Sequence, residues 1–112
     1  MNLDKIMQEL RVEYIEGLPS KVEEIQAHLE NKDLEALKND FHKLKGSGKT
    51  YGLPEVSILG KKVEHMCESS PDEVAKYIPK ATQVLELIHR SRLQGQAYDI
   101  EACEIYSQLK SL

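Results

Sequence analysis

Apolar residues return every three or four positions from one end of the chain to the other, and this period leaves helices as the only regular structure available. Leu3, Ile6, Met7, Leu10, Tyr14 and Ile15 form the first such stripe, and Val22, Ile25, Gln26 and Leu29 the second. Leu34, Leu37, Phe41 and Leu44 follow, then Val56, Leu59, Val63 and Met66. Val74, Ile78, Ala81, Leu85 and Ile88 continue the pattern, and Tyr98, Ala102, Ile105, Leu109 and Leu112 close it. No segment alternates apolar and polar residues as a half-buried strand would. The expected fold is all-α: an antiparallel up-and-down four-helix bundle with an additional terminal helix or helices. The whole of 1–112 is expected to be a single domain, with 97–112 as an extra C-terminal helix.

Turn and cap residues divide the stripes. Asn2 or Asp4 can cap the first helix, and Asp33 the one that carries Phe41. At Gly17-Leu18-Pro19-Ser20 either Ser20 caps a second helix or the first continues through a kink at Pro19. Asn31-Lys32 closes the second segment. Gly52-Leu53-Pro54 predicts a tight corner, because the residue before proline avoids the helical region. Ser69-Ser70-Pro71-Asp72 reads as a turn and a helix start with Pro71 near its first position, Pro79 as a possible kink, and Gly95 as a helix end.

Composition narrows the function classes. A net charge of −4 and a pI near 5.6 argue against general nucleic-acid binding. No apolar run approaches the ~20 residues of a membrane span, and the first residues lack the basic-then-apolar order of a secretory signal. Cys67 and Cys103 are far apart and form no CxxC pair, so a reducing cytoplasmic setting is expected. The initial Met and short N-terminus favour a free-standing protein. No cofactor or metal site is expected.

The unusual stretch runs from Phe41 to Gly52. It places a histidine, several lysines and three glycines in a helical segment, although each helical glycine costs ~1 kcal/mol against alanine. With helical residues about 100° apart, the stripe through Leu34, Leu37, Phe41 and Leu44 is centred well over 100° from His42. His42 is therefore expected at the surface. Lys38, Asn39, Lys45, Gly46 and Lys49 fall within about 60° of it on the same count. An exposed imidazole is largely neutral and nucleophilic at physiological pH. Lys45 and Lys49 can stabilise an oxyanion, and Gly46 leaves one approach uncrowded. Gly48 falls about 120° away on the apolar side, where close packing explains it better. A nucleophilic histidine with nearby cations and an open flank suits reversible phosphoryl acceptance, with metal and nucleotide brought by a partner.

His42-Lys43-Leu44-Lys45-Gly46-Ser47, followed by Tyr51-Gly52, resembles the motif of histidine-containing phosphotransfer (HPt) domains, with similar context in Leu18-Pro19, Asp33-Leu34 and Leu53-Pro54. The resemblance covers residues 10 to 68 and extends to the last helices only by pattern. Gly48 stands where alanine or serine is commoner. The resemblance implies that His42 accepts a phosphoryl group from a receiver-domain aspartate and passes it to another receiver, within a phosphorelay fed by a hybrid sensor histidine kinase. It also implies that Lys45 lies near the phosphoryl group and that Gly46 lets the receiver dock. Lys38, Asn39 and Lys49 complete the expected partner surface. The chain would be a phosphoryl carrier without kinase activity of its own. The competing reading is a helical module that holds a receiver without passing phosphate.

Other features carry blander readings. Gly46-Ser47-Gly48-Lys49-Thr50 mimics the end of a phosphate-binding loop, but Lys43 stands where that motif needs glycine and the segment reads as helix. His28, His65 and His89 sit singly and are expected in structural or surface roles. Glu23, Glu24, Glu64 and Glu68 read as solvated helix faces. The stripe from Tyr98 to Leu112 is expected to pack on its own domain rather than form a dimer seam, so the protein is expected to be a monomer.

Overall fold

The computed structural model describes residues 2–111. Its helices are α1 (Leu3–Glu16), α2 (Leu18–Glu30), α3 (Leu34–Thr50), α4 (Pro54–Ser69), α5 (Ile78–Leu93) and α6 (Glu104–Lys110). Two short 3-10 turns, Val74–Lys76 and Ile100–Ala102, join the later elements, and no strand occurs among the described residues. Helices α2 to α5 close a ring in which α2 touches α3 and α5, and α4 touches the same two. The α3–α4 pair is the most extensively packed. Phe41, Leu18, Ile25, Leu59, Met66 and Leu85 fill the centre and are fully buried. The expected all-α bundle is the observed one.

The caps follow the local sequence. Asn2 accepts the Asp4 N–H at 3.0 Å, and Asp33 accepts the Ala36 N–H at 3.1 Å. Gly52 takes φ 85° at the corner before Pro54, and Gly95 takes φ 79° just beyond α5, both left-handed conformations that favour glycine.

Several expectations are corrected. Ser20 does not start α2, and Pro19 does not kink α1. Gly17 is the junction: its N–H donates to Glu13 and its carbonyl accepts from Lys21, so α1 passes almost directly into α2. Pro19 falls in the first turn of α2, where its missing N–H leaves nothing unsatisfied. Pro79 likewise lies in the first turn of α5 and kinks nothing, while Pro71 sits in a turn ahead of the first 3-10 segment. Gln26 is exposed, although the stripe placed it beside Ile25.

The α1 stripe is only half covered. Tyr14 and Ile15 are buried, but Leu3, Met7 and Leu10 remain 76%, 37% and 36% exposed. The N-terminal half of α1 thus contributes no buried residue to the core. Nor is the tail one helix. Cys103 is extended at φ −78°, ψ 120° and caps α6. The buried series there is Ile100, Cys103, Tyr106 and Leu109, at steps of three, while Ala102 is exposed. Leu112, the last residue of the expected stripe, lies outside the described residues.

A buried ion pair ties the tail to the α3–α4 corner. Glu55, at the start of α4, accepts two bonds from Arg92 of α5, each 2.8 Å, and the Tyr98 N–H at 3.0 Å. Arg92 also donates to the Gly52 carbonyl at 3.1 Å, and Arg11 of α1 donates to that of Tyr51 at 3.1 Å. Burial alone would raise the Glu55 carboxyl, yet the Arg92 and Tyr98 hydrogen bonds outweigh it and hold the group below its ordinary value.

Candidate functional site

Two glycines set how closely α3 and α4 approach. A Cβ on Gly48 would stand 2.7 Å from the Ser57 nitrogen and 2.9 Å from the Leu53 oxygen. One on Gly60 would stand 2.5 Å from the Lys45 nitrogen and 2.7 Å from the Phe41 oxygen. Gly48 is thus a packing residue, as its position on the apolar side predicted. Gly46 differs: a Cβ there would meet nothing within 4 Å. The pair gives a direct contrast. Gly46→Ala is expected to raise stability by up to ~1 kcal/mol through helix propensity. Gly48→Ala is expected to lower it by about 1–3 kcal/mol, because backbone must move. Thermal melts that shift both variants in the same direction would contradict this placement.

With the backbones so close at Gly60, the next turn of α4 brings Glu64 against α3. Its carboxylate is shared: Oε2 bonds His42 Nδ1, and Oε1 accepts from Lys45 Nζ at 2.6 Å. The Glu64 side chain is 11% exposed, whereas that of His42 is 61% exposed. Glu64 is therefore no solvated-face residue, and that expectation is corrected. The signal lay in Gly60 rather than in Glu64: a glycine inside a regular helical stripe marks a close approach, and Glu64 follows it by one turn.

The Lys45 hydrogen bond holds the Glu64 carboxyl below the usual carboxylate range, against the push of desolvation and with help from His42. An ionised carboxylate has no proton to give. His42 Nδ1 must then carry the hydrogen and donate it, which leaves the ring's lone pair on Nε2.

Lys38 and Asn39 join His42, Glu64 and Glu35 around a shallow cleft of about 210 Å³. Lys38 also reaches Glu68 at 3.7 Å, an exposed pair of the kind that contributes little. Gly46 lies one turn beyond His42. Lys49 lies farther along and does not line the cleft; its backbone N–H donates to Ser57 Oγ at 2.6 Å. On the other side of α3, Tyr14 bonds Ser47 at 2.7 Å and stacks on Tyr51 at 5.1 Å. Leu10, Tyr14, Lys43, Ser47 and Tyr51 border a groove there that continues from the uncovered α1 stripe.

The remaining histidines stand apart from this cluster. His28 of α2 bonds Asp40 of α3 at 2.6 Å, and that bond raises its pKa. Among the described residues no group of three or more potential ligands could hold a metal ion, and no helix is long and apolar enough to cross a membrane.

The bundle presents His42 in mid-helix with its ring bonded to a carboxylate that a lysine shares. Gly46–Thr50 is continuous helix within α3, so no phosphate-binding loop exists there. The family model for the Hpt domain matches residues 9–102, and the chain belongs to that family. Hpt domains serve two-component phosphorelays as phosphotransfer carriers rather than kinases. Helix α6 and residues 3–8 of α1 lie outside the matched segment. Comparison with curated proteins and with solved structures found no match.

Proposed function

We propose that His42 accepts a phosphoryl group from an aspartyl phosphate on a receiver domain and hands it to a second receiver. The observation that carries this reading is the shared Glu64 carboxylate, which holds Nδ1 of an exposed ring and leaves Nε2 as the nucleophile. In the forward step the Nε2 lone pair forms the N–P bond, and the P–O bond to the donor carboxylate breaks with its electron pair staying on that carboxylate. The ring gains positive charge, and the Nδ1 proton remains hydrogen-bonded to Glu64, so charge builds where an anion already waits. In the second transfer an aspartate oxygen of the second receiver forms the new P–O bond while the N–P bond breaks and its electron pair goes back to Nε2. The ring then leaves as a neutral imidazole that still holds its Nδ1 proton.

The partner surface in this reading spans Lys38, Asn39, Gly46 and Lys49, all on α3. A receiver carrying labelled phosphate, mixed with this protein, tests the proposal. Label on the chain that is stable in base and lost in acid supports it. Tight binding without label, across several receivers, would leave the holding module as the function. Gly46→Leu should slow transfer from a receiver about tenfold, the loss that follows if docking weakens by ~1.4 kcal/mol. Labelling by phosphoramidate, a donor too small to need docking, should be unchanged. An equal loss with both donors would remove Gly46 from the docking surface.

A further inference from the structure

The carrier reading gives Glu64 two conflicting properties. It must be ionised to accept the Nδ1 proton, yet its charge stands behind the ring that an anionic phosphoryl group has to approach. Lys45 Nζ is bonded to Glu64 Oε1, while His42 Nδ1 takes Oε2 of the same carboxylate. In that position Lys45 acts first on the carboxylate that holds the ring. That carboxylate is largely buried, and removing its lysine partner is costly.

We infer that Lys45 serves the reaction through Glu64 rather than by touching the phosphoryl group: it is a positioning and charge-cancelling residue. With Lys45 in place Glu64 keeps its proton-accepting role, while most of its repulsion toward the phosphoryl oxygens is cancelled. Without Lys45 the same carboxylate repels the donor. The direct phosphoryl contact that the family resemblance implies for Lys45 is replaced by an indirect one, and the phosphoryl charge is left to the other cations of this face and to the partner.

A double-mutant cycle decides between the two, with phosphoramidate as donor and His42 labelling as readout. Lys45→Ala alone should be roughly tenfold slower, the scale of one charge-assisted hydrogen bond. In a Glu64→Gln background, where no carboxylate charge remains to cancel, the same change should matter less than about twofold. Lys45→Arg should restore labelling in the Glu64 protein. A tenfold loss in both backgrounds would show direct action on the phosphoryl group and overturn the inference. The imidazole nitrogen signals of His42 give a second readout that needs no transfer. Lys45→Ala should move them when Glu64 is present and leave them in place in Glu64→Gln; movement in both would also overturn it. This inference rests on the carrier reading for its significance, but the two fail separately. If receivers never label the chain while phosphoramidate does, the relay role falls, and the cycle still reports on Lys45.

Discussion

His42→Gln is expected to abolish phosphoryl labelling, from receivers and from phosphoramidate alike, while leaving the fold intact. Glutamine approximates the size of histidine, but its amide nitrogen has no lone pair available for attack on phosphorus. The His42 side chain is 61% exposed and stands outside the core, so stability should change by no more than about 0.5 kcal/mol. Glu64 keeps Lys45 as its partner in the variant and is not left as an isolated buried anion. Mass spectrometry of the labelled protein, with a thermal melt as control, is the measurement. Label that persists in a folded His42→Gln protein would place the acceptor elsewhere and end the reading of this site.

Arg92→Ala should have the largest effect on stability, about 3–5 kcal/mol at neutral pH, because it strips the partner from a buried carboxylate. For a domain of this size that is a fall on the order of 15 °C in melting temperature. The effect has a pH signature. In the wild type Glu55 titrates below its ordinary 4.5, so its contribution is fully present above that value and is lost as acid carries the pH down through the folded pKa. Without Arg92 the main influence left on Glu55 is burial, which favours the protonated form. The variant therefore regains stability as the pH falls, while the wild type loses it. Urea unfolding at neutral pH and again in mild acid should show the gap narrowing. A loss below 1 kcal/mol, or a gap that widens in acid, would mean that Glu55 is not anchored by Arg92.

The helices were legible in the sequence because burying one face of a helix imposes its own period, and because Gly52, Pro54 and Gly95 allow few alternatives at the ends. The surface position of His42 followed from the same arithmetic, as did the division between Gly46 and Gly48. What escaped were facts that exist only between helices. Glu64 reads as a surface residue until Gly60 lets α4 settle on α3. Glu55 is an ordinary first-turn carboxylate until Arg92 and Tyr98, far along the chain, close over it. The pattern of α1 reveals an apolar face but not whether anything covers it, so Leu3 and Tyr14 look alike and end up differently. In the tail, one stripe with helical steps and another with steps of three overlap at Leu109. The extended conformation of Cys103 selects the second.

His42, Lys45 and Glu64 all sit on α3 and α4, two consecutive helices joined by a short corner. The three side chains thus travel together on one helical hairpin, while α1, α2, α5 and α6 pack around it. Such a division lets the two parts change independently. The outer helices can therefore vary in sequence, within the limits of packing, without moving His42, Lys45 or Glu64 relative to one another.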